Sequence, residues 1–109
     1  MSNSFGLPDA DLAIIVSVLQ QYDEVSEAYL FGSRAKGNYR NSSDVDIALK
    51  GAQINAEIVT DISYLLNEDT NLPYNFDILN YHSINNNDIK NHIDRVGIRL
   101  YLVGKPELE

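Results

Sequence analysis

The chain has no cysteine and no tryptophan, one methionine and three prolines in 109 residues. Without cysteine there are no disulfides, thiolate metal sites or cysteine nucleophiles, a pattern that fits a reducing compartment. No apolar run approaches the ~20 residues needed to span a bilayer. Met1 to Gly6 is short and polar, with no basic segment feeding an apolar stretch. A soluble, cytoplasmic chain is therefore expected, with no membrane partner. Positive charge is also scarce: eight Lys and Arg stand against sixteen Asp and Glu, a net charge of -8. That field repels phosphate backbones at long range, so direct nucleic-acid binding is not expected. Residues 1–109 suffice for a single domain with one modest core.

Helices and strands alternate along the chain. Leu12, Ile15, Val16 and Leu19 recur at helical spacing within Asp9 to Tyr22, behind Pro8, a residue suited to the first turn. Ala28 to Phe31 is a short apolar run stopped by Gly32, as in a buried strand. Val45, Ile47 and Leu49 alternate with Asp46 and Ala48, so a second strand turns its aliphatics to a core and its acids away, ending at Gly51. Ile58, Ile62, Leu65 and Leu66 mark an amphipathic helix closing before Pro73, and Phe76 to Leu79 a third strand. Ile89, Ile93, Val96 and Leu100 predict a last helix, capped by Asn86 or Asn87 and weakened at Gly97. Residues 103–109 read as a flexible tail. The expected fold is α/β (α+β): a small mixed three-stranded sheet flanked by helices in the order αβαβαβα.

One spacing carries chemistry. Gly32-Ser33 follows the first strand, and after ten intervening residues Asp44-Val45-Asp46 opens the second. Glycine lets the backbone approach a bound group closely, and amides of a short helix from Ser33 to Lys36, with the Ser33 hydroxyl, would face a phosphate. Arg34, Lys36 and Arg40 place three of the eight basic residues between these two features. Asp44 and Asp46, two apart on a strand, share one face with Cα atoms ~7 Å apart. Such repelling carboxylates are kept together mainly by a cation, and oxygen-only ligands favour Mg²⁺ or Mn²⁺ over zinc. Asp77, in the third strand among Phe76, Ile78 and Leu79, is the natural third ligand. Two ions ~4 Å apart could then be shared, one lowering the pKa of an attacking hydroxyl and one neutralising a leaving pyrophosphate. The bland alternative is a Gly-Ser turn, Asp44 as a turn or cap residue after Asn41-Ser42-Ser43, and Asp46 and Asp77 on an open sheet face.

The runs Leu30-Phe31-Gly32-Ser33-Arg34-Ala35-Lys36-Gly37 and Ser43-Asp44-Val45-Asp46-Ile47-Ala48-Leu49 resemble the DNA polymerase β-type nucleotidyltransferase superfamily and, within it, the minimal nucleotidyltransferases of the MNT group. The resemblance covers nearly the whole chain and implies a three-stranded palm-like core. It makes Asp44, Asp46 and Asp77 the catalytic, metal-binding acids, and Gly32, Ser33, Arg34 and Lys36 the nucleotide phosphate site. Lys36 stands where many relatives carry arginine. The resemblance also implies ATP as donor, Mg²⁺ as cofactor and a small all-helical HEPN protein as partner. In some such pairs the nucleotidyltransferase is the antitoxin and transfers AMP to a tyrosine of the HEPN toxin. The small size points the same way, since a bare palm-like core offers little surface for a nucleobase and an acceptor together.

His82 and His92 are isolated and read as surface or helix-face residues. The seven tyrosines read as core or interface material; Tyr39, in the loop between the turn and the acids, can stack on a base or pack on its own sheet. Two alternatives stand beside the protein-directed enzyme. One is a non-catalytic, nucleotide-binding antitoxin that neutralises a toxin by contact. The other is a transferase acting on a small-molecule hydroxyl, as aminoglycoside nucleotidyltransferases do with added domains.

Overall fold

The computed structural model of the chain describes residues 5–40 and 43–103. Helix α1 spans Asp9–Leu19, β1 Glu27–Phe31, α2 Gly32–Lys36, β2 Val45–Lys50, α3 Ala56–Glu68, β3 Phe76–Asn80, α4 Asn87–Val96 and β4 Ile98–Leu102, with a 3₁₀ turn at Tyr81–Ser83. No helix among the described residues is long and apolar enough to cross a membrane. The strands form one mixed sheet in the order β3-β2-β1-β4. β1 runs antiparallel to β2 and β4, and β2 runs parallel to β3.

The expected sheet had three strands; the structure has four. The extra strand takes the end of the predicted last helix. That helix starts as expected, with the Asn86 side chain accepting from the amides of Asp88 (2.8 Å) and Ile89 (3.2 Å). It stops at Val96 because Gly97 leaves the helical region (φ -58°, ψ 136°) while its amide still donates to Ile93 O at 2.8 Å; a β-carbon there would meet that same oxygen, so the position takes glycine. Beyond it, β4 pairs with β1, and the register shifts between Ala28 and Tyr29. The shift turns both Leu100 and Tyr101 inward, which hides the strand's alternation from a period-two reading. The amide of Val103, the first residue of the predicted tail, donates to Ser26 O at 2.9 Å; 104–109 lie outside the described residues.

Alternation in β2 divides the molecule into two faces. Val45, Ile47 and Leu49 join Leu30, Phe76 and Ile78 in the main core, beneath residues of α1 and α3 such as Ile15, Leu19, Ile62 and Leu66. On the opposite face Ala48 meets Phe31 and Ile93 of α4 in a smaller cluster, edged by Tyr29, Leu79 and Tyr81. Asp46 and Asp77 precede Ala48 and Leu79 by two residues, so period two puts both acids on this second face, at its end beside α2.

Candidate active site

Parallel pairing of β2 with β3 sets Asp46 opposite Asp77, and antiparallel pairing of β1 with β2 sets Phe31 opposite Asp46. Asp46 therefore occupies the middle of three strands, one residue from the Gly32 turn. Its carboxyl lies above the usual carboxylate range, through burial first, then the charge of Asp77, then that of Asp44. The three acids predicted from sequence thus share one electrostatic neighbourhood, with Asp44 exposed just before β2 and Asp77 exposed on the edge strand. That exposure corrects the view of Asp77 as an acid enclosed by Phe76 and Ile78: those two face the core and Asp77 the other side. Asn67 of α3 fastens the strand there, its amide donating to Phe76 O at 3.1 Å and accepting from Phe76 N at 2.7 Å. Those bonds occupy backbone groups immediately before Asp77.

Gly32 has φ +77°, and a β-carbon on it would collide with Asp46 Oδ2. The glycine therefore brings the turn onto the central acid. Gly32→Ala combines a left-handed backbone with that collision and is expected to cost about 2 kcal/mol of stability. Chemical denaturation of the variant checks this; a midpoint equal to wild type would mean that the turn relaxes freely.

Arg34 departs from its predicted role. Its side chain is 2% exposed. Nη1 donates to Phe5 O (3.0 Å) and Gly6 O (3.4 Å), and Nε and Nη2 donate to Ser43 O (3.3 and 3.1 Å). The guanidinium also lies 5.0 Å from the Tyr39 ring centre and 5.1 Å from that of Tyr74. It fastens the N-terminal segment and the residue before Asp44 to the underside of α2, because a planar five-donor group can serve several carbonyls at once. A buried group so engaged is not presented to a phosphate. Tyr39 packs on Arg34 of α2 and against Gly6 of the N-terminal segment, rather than on its own sheet. Lys36 and Arg40 remain exposed, and Ser33 is half-buried in the first turn of α2. The Arg40 amide donates to Ser43 Oγ at 2.7 Å, fixing the far end of that loop; Asn41 and Ser42, part of the predicted turn, lie outside the described residues.

His92 is the residue that sequence reasoning undervalued. It sits on α4, and its Nε2 accepts the Gly32 N–H at 2.9 Å across sixty residues of chain. The ring meets Phe31 edge-on with centroids 6.2 Å apart. Burial, then Lys36, then Arg95 hold its pKa below the ordinary histidine value, so the imidazole is neutral at pH 7 and its lone pair is available. Sixty residues of separation leave no local signal for such a contact. Arg95, also exposed on α4, adds a cation on this side of the molecule that the motif does not contain. His82 lies exposed in the 3₁₀ turn, against Tyr81.

Among the described residues no three His, Asp or Glu side chains are arrayed to enclose a metal ion by themselves. The donors at hand are all carboxylate oxygens, with Asp46 flanked by the charges of Asp77 and Asp44. That set fits Mg²⁺, which is commonly held by one or two carboxylates and completed by phosphate oxygens and water.

Residues 13–103 match the family described as Polymerase beta, Nucleotidyltransferase. No curated protein matches the sequence significantly. Among solved structures, a chain of a toxin-antitoxin crystal structure with AMP-PNP is similar with a TM-score of 0.71 at 20% identity, covering 90% of this chain and 78% of that one. A chain from the tri-AMPylated Shewanella oneidensis HEPN toxin in complex with MNT antitoxin has a TM-score of 0.64 at 19% identity, covering 84% and 70%. A putative nucleotidyltransferase from Sulfolobus solfataricus has a TM-score of 0.54 at 20% identity, covering 86% and 78%. At these identities the likeness is one of fold.

Proposed function

This chain belongs to the polymerase beta nucleotidyltransferase family, and from that premise we propose that it transfers AMP from ATP to a tyrosine hydroxyl of a small helical HEPN-domain toxin, acting as the antitoxin of the pair. The observation that carries the reading is the register setting Asp46 opposite Asp77, with Gly32 pressed onto Asp46. That geometry gathers charge at one end of one sheet face, beside a small-residue turn where a triphosphate can approach.

In the reaction the tyrosine oxygen forms a bond to the α-phosphorus and the bond from that phosphorus to the pyrophosphate oxygen breaks. The hydroxyl proton passes to solvent at the exposed β3 edge, where Asp77 stands. Asp44, Asp46 and Asp77 would hold Mg²⁺, which when bound supplies charge neutralisation for the triphosphate and acidifies the attacking hydroxyl. Lys36 adds positive charge from the protein. The fold likeness to the AMP-PNP complex and to the complex holding an AMPylated toxin supports ATP as donor and a HEPN protein as acceptor. A second chain would supply the acceptor, and much of its binding surface, in a hetero-oligomer.

Incubation of the cognate HEPN protein with α-labelled ATP, Mg²⁺ and this chain is expected to label a partner tyrosine, and Asp44→Asn to remove both label and neutralisation of the toxin. Neutralisation that survives Asp44→Asn without any label would replace this reading with antitoxin action by contact. Label on a small-molecule alcohol and none on the partner would favour the small-molecule transferase.

A further inference from the structure

The Gly32 turn is held from outside the motif. Its amide bonds to an imidazole on α4, and its α-carbon rests on the Asp46 carboxylate. We propose that His92 is a positioning residue for the transfer site, fixing Gly32 through its Nε2 and, through Gly32, the placement of the Asp46 carboxylate. The inference rests on the nucleotidyltransferase reading above.

Three independent features meet at this ring. The donor is a backbone amide in the first turn of a five-residue helix, a segment too short to be stable without tertiary support. Gly32 lies at φ +77° with its β-carbon space filled by Asp46 Oδ2, so a shift of the turn is a shift of the surface against which that carboxylate is seated. The ring itself is set by its edge-on contact with Phe31, the strand partner of Asp46, and by Ile93 next to it, which is buried in the cluster containing Phe31 and Ala48. Burial and the cations Lys36 and Arg95 disfavour the imidazolium, which could not accept this bond. His92 is only partly buried, so its replacement leaves most of the core intact.

The test uses the ¹³C,¹⁵N-labelled full chain together with transfer kinetics toward the HEPN partner. A scalar coupling between the Gly32 amide nitrogen and His92 Nε2 is expected, since the bond is a direct N–H···N contact. His92→Leu is expected to lower kcat about tenfold, the scale of one net hydrogen bond, with KM for the partner unchanged and the melting temperature close to wild type. His92→Gln, whose Oε1 can accept from the same amide, is expected to restore most of kcat. Absence of the coupling, full activity in the Leu variant, or equal losses in Leu and Gln would overturn the inference, and the Gln comparison decides even if the Leu variant folds poorly. If wild type transfers no AMP, the nucleotidyltransferase reading fails instead; a coupling still observed, together with an Asp46 carboxyl resonance that moves in His92→Leu and returns in His92→Gln, would then uphold the positioning role by itself.

Discussion

Asp46→Asn is expected to lower transfer on the order of 10³-fold while leaving the fold at least as stable as wild type at pH 7. The two effects share one cause. Asp46 is half-buried and faces the charges of Asp77 and Asp44, so its folded pKa is raised above the ordinary aspartate value of 3.8. The folded state therefore holds this proton more tightly than the unfolded chain. Stability from that preference is fully present below pH 3.8 and is lost as pH rises through the raised folded value. At pH 7 the ionised carboxylate is a net cost to the apo fold, and the isosteric amide removes it. The activity loss has the opposite sign because the same charge would hold Mg²⁺ against the triphosphate, where losing ~4 kcal/mol of transition-state stabilisation gives that factor. Melting curves from pH 7 to pH 4, without ligand, should show the variant's advantage shrinking toward acid. With Mg²⁺ and ATP the order should reverse, since ligand stabilises only a chain that binds it. A variant that melts below wild type at pH 7 without ligand would mean that Asp46 is held by partners rather than repelled by neighbours.

Much of this site was legible because its logic is local. Period two in Val45, Ile47 and Leu49 already placed Asp46 on the face away from the core, and Asp77 stood out as a third acid within an apolar strand. The sheet register then set the two acids level, which no spacing in the sequence specifies. The features that were not legible depend on long-range packing. Ile98 to Leu102 continues a helical pattern set by Ile89, Ile93 and Val96, so periodicity alone favoured more helix. Gly97, which leaves the helical region, and pairing with β1 decided for a strand. His92 reads as an ordinary helix residue until α4 is folded over the Gly32 turn. Arg34 misled for a related reason: a basic residue beside a Gly-Ser turn suggests phosphate, and only the folded chain brings Phe5, Gly6 and Ser43 carbonyls around it.

Arg34 yields the largest expected change in stability. Arg34→Met keeps much of the volume but leaves the carbonyl oxygens of Phe5, Gly6 and Ser43 without these donors and removes the cation between Tyr39 and Tyr74. Each part-buried acceptor left unpaired costs ~1 kcal/mol, so the sum is about 3 kcal/mol. For a domain of this size that is a fall in melting temperature of roughly 15 °C. Nearby, Tyr74 donates to Asp11 Oδ2 at 2.6 Å, and burial with that bond pushes its pKa up to about 12. The tyrosine is therefore a fixed wall for the guanidinium rather than a group that can ionise in compensation. Arg34→Lys separates this account from the phosphate role. It keeps the charge, yet one ammonium cannot reach the Ser43 oxygen and the Phe5 and Gly6 oxygens as a planar fork does, so it should melt nearly as low as the Met variant. Lys36→Ala should show the reverse pattern, with an unchanged melting temperature and nucleotide affinity weaker by about fivefold, the loss of one exposed charge contact. If Arg34→Lys melts like wild type but binds ATP poorly, Arg34 contacts phosphate after all. Because Arg34 grips the carbonyl immediately before Asp44, its destabilised variants should also release the start of β2, and hydrogen exchange at Asp44 and Val45 should quicken before exchange in β1.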